Sequence, residues 1–276
     1  MPLTMRYDLR AVAPTIARIL DVSVPAGAET GPMREVLEAL PSADRVAVVL
    51  IDGFGCALWD YVADAVAAIN RLAGMNRMDI QSVRPPFTHI CITTMLTGVS
   101  AEAHGVSDLD DMLRVSSVPQ IDTLFDRVRS ADKKTLLAVH RKGVAGLPLH
   151  RFADFVIVAE EQEDAEIFNR APDLIRAKRP ALAFVHLVTI DEVAHAYGPY
   201  APQVRLAAAD LDRRLRALLR CLAECGYAAV TLADHGMHAL KEPDCDGHLG
   251  AHDGSVEEDM RVPFLWASAG DLRAFS

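Results

Sequence analysis

Seven side chains in this sequence have types and spacings suited to chemistry on divalent cations. Asp52 closes the apolar run at 45–51, and Asp234-His235 closes the run that begins at Ala229. Asp191 follows the run Ala181 to Val188, with His195 four residues on, and His252 stands in a Gly- and Asp-rich segment just before the last apolar run. A single acid in such a place is ordinary, because Asp is common in turns. Three acids at strand ends, two of them followed by His, form a pattern that is hard to explain as core. Carboxylates gathered in one place repel unless a cation neutralises them. A mixed Asp/His set with no Cys suits zinc, with manganese as the alternative. These six residues are more than one tetrahedral site needs, which points to two ions. Two adjacent cations stabilise both the attacking and the leaving oxygen of a phosphoryl transfer. The seventh residue, Thr88, lies at an expected helix start, where backbone N–H groups face an anion. Its hydroxyl is well placed to act as a nucleophile activated by a cation.

Each of these residues needs an element to hold it. The run 45–51 reads as a central strand, and Asp52-Gly53-Phe54-Gly55 as a tight turn with close backbone approach. Further strands are expected at 78–83, 135–140, 155–159, 181–188, from 229, and at 262–267. Helices are expected from about Pro14, with the proline in the first turn, and at 33–40, 57–73, 89–97, 121–130, 160–178 and 202–224. The segment 243–255 reads as a loop. Strands alternating with helices over short connections predict an α/β fold, a mostly parallel doubly wound sheet sandwiched by helices. In such a sheet the carboxyl ends of the strands share one edge, where ligands bind.

Composition narrows the function classes. A hydrophobic fraction of 51% supports a sizeable core, and a net charge of −10 argues against a protein that scaffolds nucleic acid through phosphate contacts. The five cysteines are an odd count without a CxxC pair, which fits reduced thiols and a cytoplasmic protein. No apolar h-region opens the chain, and no run reaches about 18 apolar residues, so neither a leader nor a membrane partner is expected. Residues 1–276 read as one domain, with 1–44 as an N-terminal helical segment packed on it. A small phosphate ester is the expected partner, and homo-oligomerisation is left open.

The ordered set Asp52-Gly-Phe-Gly, Thr88 nine residues before Thr97-Gly98, Ala103-His104-Gly105, Asp191-x-x-x-His195, Asp234-His235-Gly236-Met237 and Gly250-Ala-His252 resembles the alkaline phosphatase superfamily. The nucleotide pyrophosphatase/phosphodiesterase-like branch is the nearest in pattern, over roughly residues 45–268. The resemblance implies an alkaline-phosphatase-like fold and a two-zinc site. One ion would be held by Asp52, Asp234, His235 and the Thr88 oxygen, the other by Asp191, His195 and His252. It further implies attack of Thr88 on phosphorus, a phosphothreonyl intermediate, and its hydrolysis by water. His104 matches a position taken as structural support. Two departures stand out. Cys91 occupies the place of an Asn three residues after the nucleophile, and Val106-Ser107-Asp108-Leu109 lacks the phosphate-binding Asn expected after His104-Gly105. An ionised Asp cannot donate as that amide would. The segment Val12 to Leu20 resembles an Ala-Pro-Thr helix that many relatives carry near the last strand. Here it comes first, which suggests the same place reached by a permuted connection.

Plainer readings compete at several positions. His248 rivals His252 in the same loop. Thr93 and Thr94 rival Thr88, although helix-interior hydroxyls back-bond or pack more often than they react. His140, Arg141 and Lys142 could reach a phosphate or form a solvated basic turn, and His238 and Lys241 lie near the site in sequence alone. Cys221 and Cys225 suit packing. The expected activity is metal-dependent hydrolysis of phosphodiester or nucleotide pyrophosphate-type substrates. Its rivals are a phosphomonoesterase or phosphomutase on the same site, and a non-catalytic metal- or phosphate-binding domain.

Overall fold

The computed structural model describes residues 5–107, 121–140, 153–160 and 164–275. Its centre is a seven-stranded sheet. The strands are β1 (Val46–Ile51), β2 (Arg77–Gln81), β3 (Thr135–His140), β4 (Phe155–Ala159), β5 (Leu182–Leu187), β6 (Ala228–Leu232) and β9 (Arg261–Ala267). Two short strands, β7 (His238–Ala239) and β8 (Gly250–Ala251), pair with each other. The sheet order is β2-β9-β6-β1-β5-β3-β4, with every pair parallel except the two that involve β9. β1, β5 and β6 are buried along their whole length, which explains their continuous apolar sequences: helices cover both faces.

The helices are α1 (Val12–Ile19), α2 (Arg34–Ala39), α3 (Cys56–Val62), α4 (Ala67–Ala73), α5 (Thr88–Thr97), α6 (Ala101–His104), α7 (Leu124–Ser130), α8 (Ala165–Lys178), α9 (Thr189–Tyr197), α10 (Pro202–Glu224) and α11 (Glu257–Met260). Pro202 opens α10, where its missing N–H is no loss. The helix buries the stripe Val204, Leu211, Leu215, Leu218 and Leu222. Cys221 and Cys225 are buried with it, and the Cys221 thiol donates to the Pro172 carbonyl. Pro14 is the third residue of α1, inside its first turn, as its ring requires.

Four expectations shift. The helix at 57–73 is broken by a 3₁₀ turn at Ala63–Ala65, and the one at 160–178 occupies Ala165–Lys178. The loop 243–255 contributes β8, which closes a small hairpin with β7. The N-terminal helix has its main contacts with α2, α5 and α7, not with β9, so it does not take the place beside the last strand. Thr15 fixes this position: its hydroxyl donates to the Ala11 carbonyl and accepts from the Met33 amide. Among the described residues no helix is long and apolar enough to cross a membrane.

The arrangement that matters for chemistry is at the middle of the sheet. β1 lies between β5 and β6, in register so that Ile51 is opposite Leu187 and Leu50 opposite Leu232. The carboxyl ends of all three strands therefore open side by side, at the edge where strand order reverses.

Candidate metal centre

Asp52 follows β1 directly, and its amide donates to the Leu187 carbonyl of the neighbouring strand. The chain then turns through Gly53 at φ 69°, a conformation that L side chains rarely adopt. A Cβ at Gly53 would also lie 2.9 Å from Asp191 Oδ1, so glycine lets the β1 turn press against the α9 carboxylate. Asp234 lies two residues beyond β6. Its Oδ1 accepts from the Gly53 amide at 3.2 Å and from the His235 amide at 3.0 Å. These two bonds lock the β1 and β6 turns together.

Asp191 is not at a strand end. β5 stops at Leu187 and α9 begins at Thr189, so Asp191 is the third residue of the helix and His195 lies one turn later on the same face. The start of α9 is capped from another part of the chain. Asp164 accepts from the Val188 amide at 2.8 Å, from the Thr189 amide at 3.3 Å and from His140 Nε2 at 3.0 Å. In return the Asp164 amide donates to Thr189 Oγ1. His140 is thus buried in a structural network and does not face a phosphate. Arg141 and Lys142 lie outside the described residues, as do Asp108 and Leu109. β8 lies against α9, with the Leu249 amide donating to the His195 carbonyl at 2.7 Å. The contact needs Gly250, where a Cβ would come 2.4 Å from the Ala194 carbonyl oxygen.

All seven expected residues meet at this edge. His195 Nε2 is 3.0 Å from His252 Nε2 and 3.4 Å from Asp191 Oδ2. His235 Nε2 is 3.2 Å from Asp52 Oδ1 and 3.5 Å from Asp234 Oδ2. Thr88, the first residue of α5, places Oγ1 3.4 Å from Asp52 Oδ1 and 3.3 Å from His235 Nε2. The other ring nitrogens are committed. Nδ1 donates to Gly250 O in His195, to Pro86 O in His252 and to Gly236 O in His235. A carbonyl can only accept, so each Nδ1 carries a proton and each Nε2 turns inward, as a free lone pair in the neutral His195 and His252.

The electrostatics fit a cation. Asp191 Oδ1 and Asp234 Oδ2 are buried and have no hydrogen-bond partner among the described residues. Burial and the charge of Asp52 raise the Asp234 carboxyl to about 7, and burial with the Asp52 and Asp234 charges raises Asp191 well above the carboxylate range. Burial would push His235 down, yet Asp234, Asp52 and Asp191 outweigh it and raise it to about 10. Burial and the neighbouring rings hold His252 down at about 2, so it stands neutral with a free lone pair. Orphaned carboxylate oxygens beside inward-facing imidazole nitrogens match the donor set of a divalent metal.

The rival residues fall elsewhere. His248 is half-buried and pairs with Asp244 at 3.3 Å, and its ring rests against His195. His238 Nδ1 donates to the buried Asp259 at 2.8 Å, and Lys241 is exposed. Thr93 donates to the His89 carbonyl, and Thr94 accepts from His104 Nε2, whose Nδ1 takes the Val106 amide. His104 thus braces α5. Cys91 is buried with its sulfur 3.5 Å from Ser82 Oγ, and an S–H is only a weak donor, a poor substitute for an amide. One residue escaped the sequence reading. His186, inside β5, puts Nε2 2.8 Å from Asp52 Oδ2. The signal was a lone His in an otherwise apolar strand.

Comparison with known proteins agrees with this fold. The chain superposes on murine ectonucleotide pyrophosphatase/phosphodiesterase 5 with a TM-score of 0.56 and 20% identity, covering 71% of this chain and 58% of that one. A phosphonoacetate hydrolase from Sinorhizobium meliloti, in complex with phosphonoacetate, gives 0.55 and 20% over 73% of this chain and 58% of that one. The C-terminal periplasmic domain of EcEptC from Escherichia coli, in complex with Zn, gives 0.58 and 14% over 84% and 74%. These likenesses show the fold. The chain spans about 58% of the length of the first two. No curated protein matches the sequence. The family model described as type I phosphodiesterase / nucleotide pyrophosphatase matches residues 120–262, just over half of the chain and the stretch that holds Asp191, His195, Asp234, His235 and His252. The chain therefore belongs to the type I phosphodiesterase/nucleotide pyrophosphatase family, within the alkaline phosphatase superfamily.

Proposed function

We propose that this protein is a two-cation hydrolase that cleaves phosphodiester or nucleotide pyrophosphate-type substrates with Thr88 as nucleophile. The observation that carries this reading is the pair of orphaned oxygens, Asp191 Oδ1 and Asp234 Oδ2, buried beside the inward-facing Nε2 atoms of His195, His235 and His252. Asp52, Asp234 and His235 would hold one ion together with the Thr88 oxygen, and Asp191, His195 and His252 the other. Zinc suits the ligand types, with manganese second. When bound, the ions supply positive charge to the attacking and leaving oxygens and lower the pKa of the attacking hydroxyl.

The rest is done by the chain. Thr88 Oγ1 already stands within 3.4 Å of Asp52 and 3.3 Å of His235, so it needs no large movement to reach phosphorus beside the cluster. Its oxygen bonds to phosphorus as the leaving-group oxygen departs with the electron pair. Water then displaces threonine, which regains its proton. The first turn of α5 has N–H groups with no intrahelical partner, and these offer donors to a phosphoryl oxygen where relatives use an Asn. Of the solved neighbours, an inactive form of the murine enzyme holds AMP and the bacterial hydrolase holds phosphonoacetate. Both are small anions, in keeping with this substrate class.

The test is turnover on a panel of phosphomonoesters, phosphodiesters, dinucleotide pyrophosphates and phosphonoacetate, with added zinc or manganese. Thr88→Ala should lower kcat on the preferred substrate by about 10³-fold or more while metal content is unchanged. Faster turnover of monoesters would favour a phosphomonoesterase. A metal-loaded wild type inert on the whole panel would favour a binding domain, and an active Thr88→Ala variant would remove the nucleophile assignment.

A further inference from the structure

His186 takes no part in the proposed chemistry, yet it is the only described side chain with its Nε2 on Asp52 Oδ2. The residue is fully buried, next to last in β5, between apolar neighbours on the strand. An ionised carboxylate only accepts, so the ring proton lies on Nε2. The other nitrogen, Nδ1, is buried and has no partner among the described residues. A histidine with one orphaned nitrogen inside a parallel sheet does not help the core, because an apolar residue would fill the space without an unsatisfied atom. Among the described residues the one polar contact of its side chain is with Asp52, and that contact divides the carboxylate. Oδ2 is taken at 2.8 Å, while Oδ1 faces His235 at 3.2 Å and Thr88 at 3.4 Å.

We propose that His186 is a positioning residue that makes Asp52 a one-oxygen ligand and so selects a small, four-coordinate cation at the Thr88 side of the site. The inference rests on the two-cation reading above. With one lone pair of Oδ2 held by His186 and Oδ1 turned toward His235 and Thr88, binding of an ion through Oδ1 alone is favoured over binding through both oxygens. Zinc accepts single carboxylate oxygens in tetrahedral sites, whereas calcium gathers 6–8 oxygens and often takes both from one carboxylate. Fixing Oδ1 also orients the oxygen that shares the Thr88 hydroxyl. Partners that orient a metal ligand in this way commonly change metal affinity by about 10–100-fold when removed.

The test is cation titration of the full chain, stripped of metal, as wild type, His186→Phe and His186→Gln, with Zn²⁺, Co²⁺ and Ca²⁺. The Phe variant should bind one of two Zn²⁺ ions about 10–100-fold more weakly and the other within a few-fold of wild type. Its Co²⁺ absorption should lose intensity at that one site as coordination expands, and its preference for Zn²⁺ over Ca²⁺ should narrow. Gln, whose amide can still donate to Oδ2, should recover most of the affinity. Should the Phe variant fail to fold, His186→Asn, polar but too short to keep the contact, carries the same measurement. Normal loading of both sites in Phe or Asn would overturn the role of His186 alone. Equal weakening of both sites without rescue by Gln would make the residue merely structural and also overturn it. A wild type that takes up no ion would overturn the two-cation reading and the proposal with it.

Discussion

At position 252 the geometry distinguishes the favoured histidine from its rival in the same loop. His252 Nε2 lies 3.0 Å from His195 Nε2, and its Nδ1 is tied to Pro86. His248 spends its Nδ1 on Asp244 at the surface. His252→Ala should therefore weaken one cation by at least about 10-fold, while His248→Ala changes binding by less than a few-fold, as measured by titration. The titrating groups give a second prediction. Asp234 and His235 both have folded pKa values raised, to about 7 and about 10. A raised group contributes stability that is present below its unfolded pKa and lost as pH rises through its folded one. Asp52 is lowered and contributes stability above its unfolded value, so it is flat across neutral pH. His104, His195 and His252, all held down, work the other way only below their unfolded value of 6.5, so the metal-free protein should lose thermal stability between about pH 7 and 9, and added Zn²⁺ should restore more of it at the alkaline end. A metal-free midpoint that stays level or rises over that range would contradict the crowding of charge. The residue types at this site were legible because Asp and His are conspicuous after apolar runs. His186 was not, because a ring inside a strand reads as core until its neighbour is known.

Whether those residues meet is decided by elements, and here legibility was uneven. Strands at 135–140 and 155–159 and the helix at 202–224 stood out, since a continuous apolar run or a helical stripe survives any context. The cap of α9 did not. Asp191 seemed to end a strand, but α9 starts two residues after β5, and the group that permits this is Asp164, 25 residues before Thr189. Nothing local signals such a bond. Asp164 takes three donors around the start of α9, so Asp164→Ala leaves buried N–H groups unmet. The cost should be about 2–3 kcal/mol in denaturant unfolding. Because α9 carries both Asp191 and His195, the second cation should weaken as well, while the Asp52–Asp234–His235 side keeps its affinity. Equal loss at both sites would mean that the cap supports the sheet edge as a whole. The N-terminal helix shows the opposite limit. Its sequence suggested a place beside the last strand, but α1 packs on α2, α5 and α7, because packing partners follow surface complementarity rather than motif.

For the whole molecule, the cations and the fold compete for the same residues. Three carboxylates converge where β1, β5 and β6 end, two of them with an orphaned oxygen, and the core built around them must hold that repulsion when no ion is bound. Sites of this kind trade stability for function. A ligand that binds only the folded state at 100 times its Kd adds about 2.7 kcal/mol, so two cations should raise the melting midpoint by on the order of 10 °C. Asp191 separates the two effects. Its Oδ1 has no partner, and burial together with Asp52 and Asp234 disfavours its charge. Asp191→Asn keeps the shape and removes the charge. The metal-free variant should therefore melt higher than metal-free wild type at pH 8, and Zn²⁺ should raise its midpoint less, because one site has lost its carboxylate. Calorimetry of the four states, two proteins with and without Zn²⁺, checks both halves at once. A metal-free Asp191→Asn protein no more stable than wild type would mean that the sheet edge relaxes its own charge, and that the cations are held by geometry alone.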